Sequence, residues 1–130
     1  MDSKGLITSN RDKNNLENHK QDFTHQHEEI KDLQKIVSSI KPNFLIGVSG
    51  VANAFTKEVI EEMCLINERP SIFALSNPTE YSECTAEDAY KYSNGKALFV
   101  SGSPFPPYNH NGKTLISGQG KLFFFFIINR

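Results

Sequence analysis

Residues 44–50 read Phe-Leu-Ile-Gly-Val-Ser-Gly, a short apolar run that passes directly into a glycine-containing turn. Apolar runs of this length are typical of strands that are buried on both faces of a sheet. Similar runs recur at residues 71–75 and 97–100. The sequence therefore predicts three short buried strands, and the segments that join them decide the fold class.

The joining segments have helical spacing. Thr56 can cap a helix whose buried side carries Val59, Ile60 and Met63. Residues 85–88 resemble a capping box that opens a second helix, and Gly95 is placed to end it. Strands that alternate with helices predict an α/β fold with a parallel sheet and right-handed crossovers.

Two further elements flank this core. A helix ahead of the first strand, ended by Pro42, is predicted from the spacing of five apolar residues, Ile30, Leu33, Ile36, Val37 and Ile40. Asn111-Gly112 suits the two-residue turn of a β-hairpin. Gly118-Gln119-Gly120 can be read either as a loop around a ligand or as a flexible connection.

Ligands of parallel sheets bind beyond the carboxyl ends of the strands. The least ordinary stretches of this sequence lie there, at residues 47–53, 76–79 and 101–105. We therefore expect a binding crevice at that edge of the sheet.

Gly47 and Gly50 stand in the first of these turns, where backbone N–H groups could approach a phosphate or a ribose. A turn that merely needs glycine is the alternative. The full G-x-G-x-x-G pattern is absent, because Ala52 and Phe55 stand where its second and third glycines would fall, counted from Gly50.

Asn77 ends the second strand, and its amide can donate and accept together, which suits a carboxamide or a carboxylate. Asn before Pro is also ordinary turn chemistry, and that interpretation is the stronger one on pattern alone. Asp2 can accept from ribose hydroxyls, and Lys4 beside it can pair with a 2′-phosphate. The alternative for both is a solvated charged terminus.

Composition excludes some classes of partner. The formal net charge is −1, so no electrostatic argument favours nucleic acid or an anionic membrane. The apolar run at residues 123–128 is far shorter than the roughly 20 residues that cross a bilayer. Cys64 and Cys84 stand singly, without metal-ligand spacing, and are interpreted as reduced thiols.

Several strings of residues resemble malic enzymes of the NADP-dependent type, in the same order and at fitting separations. They are Asn67-Glu68-Arg69-Pro70, Phe73-Ala74-Leu75-Ser76-Asn77-Pro78-Thr79, Glu83-Cys84-Thr85-Ala86-Glu87, Ser101-Gly102-Ser103-Pro104-Phe105 and Gly118-Gln119-Gly120. The resemblance covers residues 2–120. It implies a fragment of the C-terminal NAD(P)-binding domain: an α/β, partial Rossmann-like three-layer sandwich with a parallel sheet, truncated at both ends.

The resemblance also implies an activity for the full-length enzyme. That activity is oxidative decarboxylation of (S)-malate to pyruvate and CO₂ with reduction of NADP, NAD being possible, and it needs Mg²⁺ or Mn²⁺. The family is homo-oligomeric. Its catalytic tyrosine and lysine, its metal ligands and its main glycine-rich motif all match positions before Met1, so we expect no catalytic or metal-binding residue here and no activity of the chain alone.

The resemblance carries over a narrower set of cofactor- and substrate-binding residues. Asn77 matches an asparagine near substrate and nicotinamide. Asp2, and with it Ser3 and Lys4, match the adenine-ribose end, and Lys20 matches a lysine used for the 2′-phosphate if a small insertion is allowed. Gly47 and Gly50 match a second turn that lines the cofactor.

Residues 121–130 depart from the family, because Lys121 and Leu122 follow Gly120 where the resemblance calls for two asparagines. The sequence thus predicts a partial nucleotide-binding domain over residues 1–120 and a non-family apolar tail over 121–130. Two other interpretations stay open: a truncated paralogue that binds nucleotide or pairs with a subunit without catalysis, and a non-functional product of a faulty gene model. The opening residues look most like cytosolic enzymes of animals, which implies a cytoplasmic location, with mitochondria not excluded.

Overall fold

The structure is a computed structural model that describes residues 1–11 and 16–120. The chain divides into two units, residues 1–40 and residues 41–130. The first unit contains helices α1, Asn18–Gln21, and α2, Leu33–Ile40. Outside these helices, the described residues of this unit include two isolated bridges, which pair Asp2 with Gly5 and Thr8 with His25.

Helix α2 begins later than its apolar spacing predicts. The carbonyl of Ile30 accepts a hydrogen bond of 2.7 Å from the amide of Leu6, which holds Ile30 outside the helix. The Asp32 side chain then accepts from the amide of Lys35 at 2.8 Å, as an N-cap does. Of the predicted apolar face, Ile36 and Val37 are buried, whereas Ile40 is exposed.

The second unit alternates strands and helices in the predicted order. Its elements are β1, Phe44–Gly47; α3, Lys57–Ile66; β2, Ser71–Ala74; α4, Ala86–Tyr92; β3, Leu98–Ser101; β4, Tyr108–His110; β5, Lys113–Leu115; and β6, Gly118–Gln119. A short 3-10 helix, Thr79–Tyr81, lies between β2 and α4. The α/β class and the parallel sheet are confirmed.

Local sequence signals set the ends of α3 and α4, the two α-helices of the second unit. The Thr56 side chain accepts from the amide of Val59 at 3.5 Å, and the Thr85 side chain accepts from the amide of Asp88 at 3.0 Å. Both threonines are thus N-caps, as predicted. After α4, the amide of Gly95 bonds the carbonyl of Tyr90 at 2.7 Å and closes the last turn.

The sheet has the order β1-β2-β3-β6, and every neighbouring pair is parallel. The prediction of three parallel strands was incomplete, because Gly118–Gln119 pairs with Val100–Ser101 as a fourth strand. A strand of two residues carries no apolar pattern, so periodicity could not reveal it. The sequence suggests a ligand loop or a flexible connection for residues 118–120, whereas the backbone of Gly118–Gln119 is a strand.

The apolar core of the second unit lies between the sheet and helices α3 and α4. The helices pack against each other, and their buried side includes the predicted Val59, Ile60 and Met63. The opposite face of the sheet carries Phe44 and Ile46, which are exposed. Strands β4 and β5 form the predicted hairpin, with Asn111 and Gly112 in the left-handed conformation that its tight turn requires.

Candidate functional site

The register of the sheet aligns the carboxyl ends of its strands. Gly47 pairs with Ala74, Ala74 with Ser101, and Ser101 with Gln119. The turns after β1, β2 and β3 therefore start side by side. We call this region, residues 47–51, 75–78 and 101–103, the carboxyl edge, and it is where a parallel sheet binds its ligand.

Asn77 is exposed at the carboxyl edge, next to a cis peptide bond to Pro78. Its Oδ1 accepts a hydrogen bond of 2.7 Å from Ser103 Oγ, and its Nδ2 donates to the carbonyl of Leu75 at 3.4 Å. An amide nitrogen carries two hydrogens. One N–H of Asn77 thus has no partner among the residues that the structure describes, and it can donate to a carboxylate or a carbonyl oxygen.

Gly102 sits directly behind Asn77. A Cβ atom at this position would overlap the carbonyl of Leu75 and would lie 2.8 Å from Asn77 Nδ2. Its amide bonds the carbonyl of Ala74 at 2.9 Å, which keeps the backbone at that distance. The absence of a side chain at residue 102 is therefore a condition for the observed position of Asn77.

A buried carboxylate lies beneath the first two turns. Glu83 has no exposed surface, and its Oε1 accepts from the amide of Ser49 at 3.0 Å and from Ser76 Oγ at 2.5 Å. Sequence reasoning did not single out Glu83 as a site residue. Its partners lie 34 and 7 positions away, so no local pattern reveals them.

The two glycines of the first turn have different roles. A Cβ on Gly47 would lie 2.5 Å from the Cδ of Glu83, so Gly47 makes room for the buried carboxylate. Gly50 has φ +66° and faces open space, and its amide bonds Ser76 Oγ at 2.9 Å. The turn thus offers a ligand a bare backbone surface.

In the first unit the predicted ribose and phosphate residues gather around Asp2. Arg11 Nη1 lies 2.9 Å from both carboxylate oxygens of Asp2, and Lys20 Nζ lies 3.2 Å from Oδ2. Lys20 also pairs with Glu17 Oε2 at 3.0 Å. Asp2 and Lys20, which are 18 positions apart, are therefore neighbours.

The remaining predicted residues lie in the same turn. The amide of Lys4 donates to Asp2 Oδ1 at 3.0 Å, and both Lys4 and Ser3 are exposed. Arg11, which the sequence analysis missed, is buried and also donates from Nη2 to the carbonyl of Leu6 at 2.9 Å. An arginine in a polar stretch gives no signal that distinguishes a buried anchor from a solvated charge.

The charges around Asp2 set its protonation. Burial acts to raise the pKa of Asp2, but hydrogen bonds from the Arg11 guanidinium, the Lys4 amide and the Lys20 ammonium outweigh it and lower the pKa to about 2. The Asp2 carboxylate is consequently ionised at neutral pH. Its neighbour Lys20 has a pKa raised above its usual range, first by the hydrogen bond to Glu17 and then by the one to Asp2.

No metal centre is found in the described part of the chain: no three His, Cys, Asp or Glu side chains converge there to hold an ion. The residues present do not fit the Mg²⁺ or Mn²⁺ that the resemblance implies, so we derive no chemical step through a metal. Among residues 1–11 and 16–120, no helix has the length and hydropathy needed to span a membrane.

Comparison with known proteins places these features in context. The family model described as malic enzyme, NAD binding domain, matches residues 1–127. Over 126 residues the chain is 55% identical to NADP-dependent malic enzyme of Vitis vinifera and 54% identical to NADP-dependent malic enzyme 1 of Arabidopsis thaliana. It is 53% identical to the chloroplastic NADP-dependent malic enzyme of Zea mays.

Each of these matches covers 97% of the chain but only 20–22% of the relative. The chain thus spans about a fifth of the length of the curated relatives it matches. Because the relatives include chloroplastic enzymes of Zea mays and Oryza sativa, a cytoplasmic location stays a prediction. The predicted apolar tail, residues 121–130, lies outside the described residues.

Proposed function

The chain belongs to the malic enzyme family, as part of its NAD-binding domain, and on that basis we propose that it forms part of the cofactor and substrate wall of an NADP-dependent malic enzyme. That enzyme converts (S)-malate to pyruvate and CO₂ and reduces NADP. In this proposal the divalent metal, the proton-transfer groups and the homo-oligomeric contacts of the enzyme lie in its other parts.

The observation that carries the proposal is the arrangement of Asn77. Its side-chain oxygen, Oδ1, accepts a hydrogen bond from Ser103 Oγ, so that the amide nitrogen is the group that faces a ligand. A neutral N–H donor at the carboxyl edge of a parallel sheet suits a malate carboxylate or the carboxamide oxygen of nicotinamide. Gly50 would form the adjoining wall through close backbone approach, and Gly47 would support that turn by leaving room for Glu83 beneath it.

The Asp2 cluster supports a role at the ribose end of NADP. Carboxylate oxygens accept at about four positions, and Arg11, the Lys4 amide and Lys20 occupy four contacts on Asp2. The longest of these contacts is the one from Lys20. A ribose hydroxyl that donates to Asp2 would displace Lys20 from that carboxylate. The Lys20 ammonium, still paired with Glu17, would then have an N–H group to donate to a 2′-phosphate beside Ser3 and Lys4.

The test compares NADPH with NADH binding to the full 130-residue chain, followed by nicotinamide fluorescence. We expect NADPH to bind more tightly, and Lys20→Ala to weaken NADPH binding about tenfold, as loss of one charge-assisted contact does. NADH binding should be unchanged, because NADH lacks the 2′-phosphate. Lys35→Ala, at an exposed lysine of the same unit, is the matched control. If Lys20→Ala weakened the binding of NADPH and NADH equally, the assignment of Lys20 to the 2′-phosphate would be refuted.

A further inference from the structure

Glu83 has no part in the proposed contacts with cofactor or substrate, yet its side chain accepts four hydrogen bonds from residues of the carboxyl edge. Its Oε1 receives Ser49 N, Ser49 Oγ and Ser76 Oγ, and its Oε2 receives Ser76 N at 3.4 Å. One buried carboxylate therefore joins the turn after β1 to the turn after β2.

All four hydrogen bonds run towards Glu83. Both serine hydroxyls donate to its Oε1. Their oxygens then accept from the other side: Ser76 Oγ from the amide of Gly50 at 2.9 Å, and Ser49 Oγ from the amide of Val51 at 3.3 Å. The hydrogen bonds of Gly50 N and Val51 N thus reach Glu83 through the two serine hydroxyls.

In this arrangement the backbone N–H groups of three successive residues in the first turn all donate hydrogen bonds within the protein. Ser49 N bonds Glu83, Gly50 N bonds Ser76, and Val51 N bonds Ser49. A phosphate-binding turn works in the opposite way, with unpaired N–H groups aimed at the anion.

We infer that Glu83 is a positioning residue: it locks the turns after β1 and β2 into one unit, which closes the β1 turn to phosphate and leaves it to fit a phosphate-free part of a ligand. The inference deepens the proposed function and rests on it only for the identity of the ligand. Because Asn77 directly follows Ser76, the same network also fixes the residue that faces the substrate.

The first test is residue-resolved hydrogen–deuterium exchange of the full chain. The amides of Ser49, Gly50 and Val51 should exchange at least about tenfold more slowly than that of Gly112 at the exposed hairpin tip. Inorganic pyrophosphate at millimolar concentration should leave them unchanged. Rapid exchange of these amides, or their protection by pyrophosphate, would overturn the inference without any variant.

The second test uses Glu83→Gln, which keeps the shape of the side chain but places an N–H₂ group against the amide of Ser76. We expect exchange at residues 49–51 and 76 to accelerate about tenfold, the effect of losing one hydrogen bond. The amide of Ile72 in β2 should not change. Glu80→Gln, at an exposed neighbour, is the matched control. Equal acceleration everywhere would mean that Glu83 only stabilises the fold.

Ser76→Ala gives an independent reading if Glu83→Gln does not fold. It removes the acceptor of Gly50 N and one of the four donors to Glu83, but it leaves the amides of Ser49 and Ser76 bonded to Glu83. The amide of Gly50 should therefore exchange faster, while those of Ser49 and Ser76 change less, and unchanged exchange at Gly50 would count against the network. NADPH titration of the same variants separates the two claims. Failure of the wild-type chain to bind NADPH would count against the proposed function of the chain, whereas the exchange and pyrophosphate results still decide the role of Glu83.

Discussion

Ser103 Oγ donates a hydrogen bond of 2.7 Å to Asn77 Oδ1 across 26 positions of sequence. The bond ties the turn after β3 to the turn after β2, and it decides which end of the Asn77 amide faces outwards. Without it the two ends of the amide could exchange places by rotation about χ2. The chemistry offered by Asn77 therefore depends on a serine that need not touch a ligand itself.

Ser103→Ala should lower kcat/KM for malate at least about twofold, because the freed Asn77 amide can rotate about χ2 and present Oδ1 instead of Nδ2. The measurement needs an active enzyme. We suggest a graft in which residues 2–120 replace the matching segment of the Vitis vinifera enzyme. Asn109→Ala, at an exposed site of β4, is the control. Unchanged kcat/KM for malate in Ser103→Ala would show that the Ser103 bond does not orient Asn77.

Gly102→Ala should destabilise the second unit by about 1–3 kcal/mol, the usual cost of inserting a methyl group into filled space. The new Cβ would meet the carbonyl of Leu75 and Asn77 Nδ2. Urea unfolding of the full chain measures the change, with Thr114→Ala, at an exposed position of β5, as the control. A stability equal to that of wild type would mean that the backbone behind Asn77 yields easily.

The Asp2 cluster should give the first unit a stability that depends on acid pH. Because the folded-state pKa of about 2 lies below the ordinary 3.8, the contribution is present above pH 4 and is lost as pH falls towards 2. Partial exposure limits it to about 1–2 kcal/mol. Exchange of the Gly5 amide between pH 5 and pH 2 follows it, after correction for intrinsic exchange. Asp2→Asn should show no corresponding loss, and an equal loss in that variant would assign the effect elsewhere.

Deleting residues 121–130 should raise the soluble yield of the chain. The run Phe123–Ile128 is apolar, uncharged, free of proline and rich in β-formers, which is an aggregation signature. The comparison is of soluble fraction after expression of the full and shortened chains. As a control, replacing Phe124 and Phe126 by lysine should raise the yield without shortening the chain. A lower yield after deletion would show that the tail belongs to the fold.

Local signals in the sequence accounted for most of the second unit. The apolar runs, the caps at Thr56 and Thr85 and the Asn111-Gly112 turn depend on neighbouring residues, and all are confirmed. The prediction was wrong where a distant partner decides the outcome. Ile30 lies outside its predicted helix because it pairs with Leu6.

The candidate site shows the same division. Asn77 was singled out because it follows a strand, and in the structure it lies exposed at the carboxyl edge. Its role in binding stays a prediction. Glu83 and Arg11 are the buried charges that organise the two candidate regions, and both were missed. A charged residue is more often solvated than buried, so only the folded chain reveals that Glu83 meets Ser49 and that Arg11 meets Asp2.

We propose that residues 2–120 supply an NADP-selective wall of a malic enzyme, and the graft into the Vitis vinifera enzyme is the decisive experiment. The measurement is malate-dependent reduction of NADP and of NAD with Mn²⁺ in excess, with the isolated chain expected to be inactive. We predict that the graft keeps kcat/KM for NADP within about tenfold of the parent enzyme. Lys20→Ala and Lys4→Ala in the graft should each lower the ratio of NADP to NAD use by about tenfold. A folded graft without malate-dependent reduction, or an unchanged coenzyme ratio in both variants, would contradict the account.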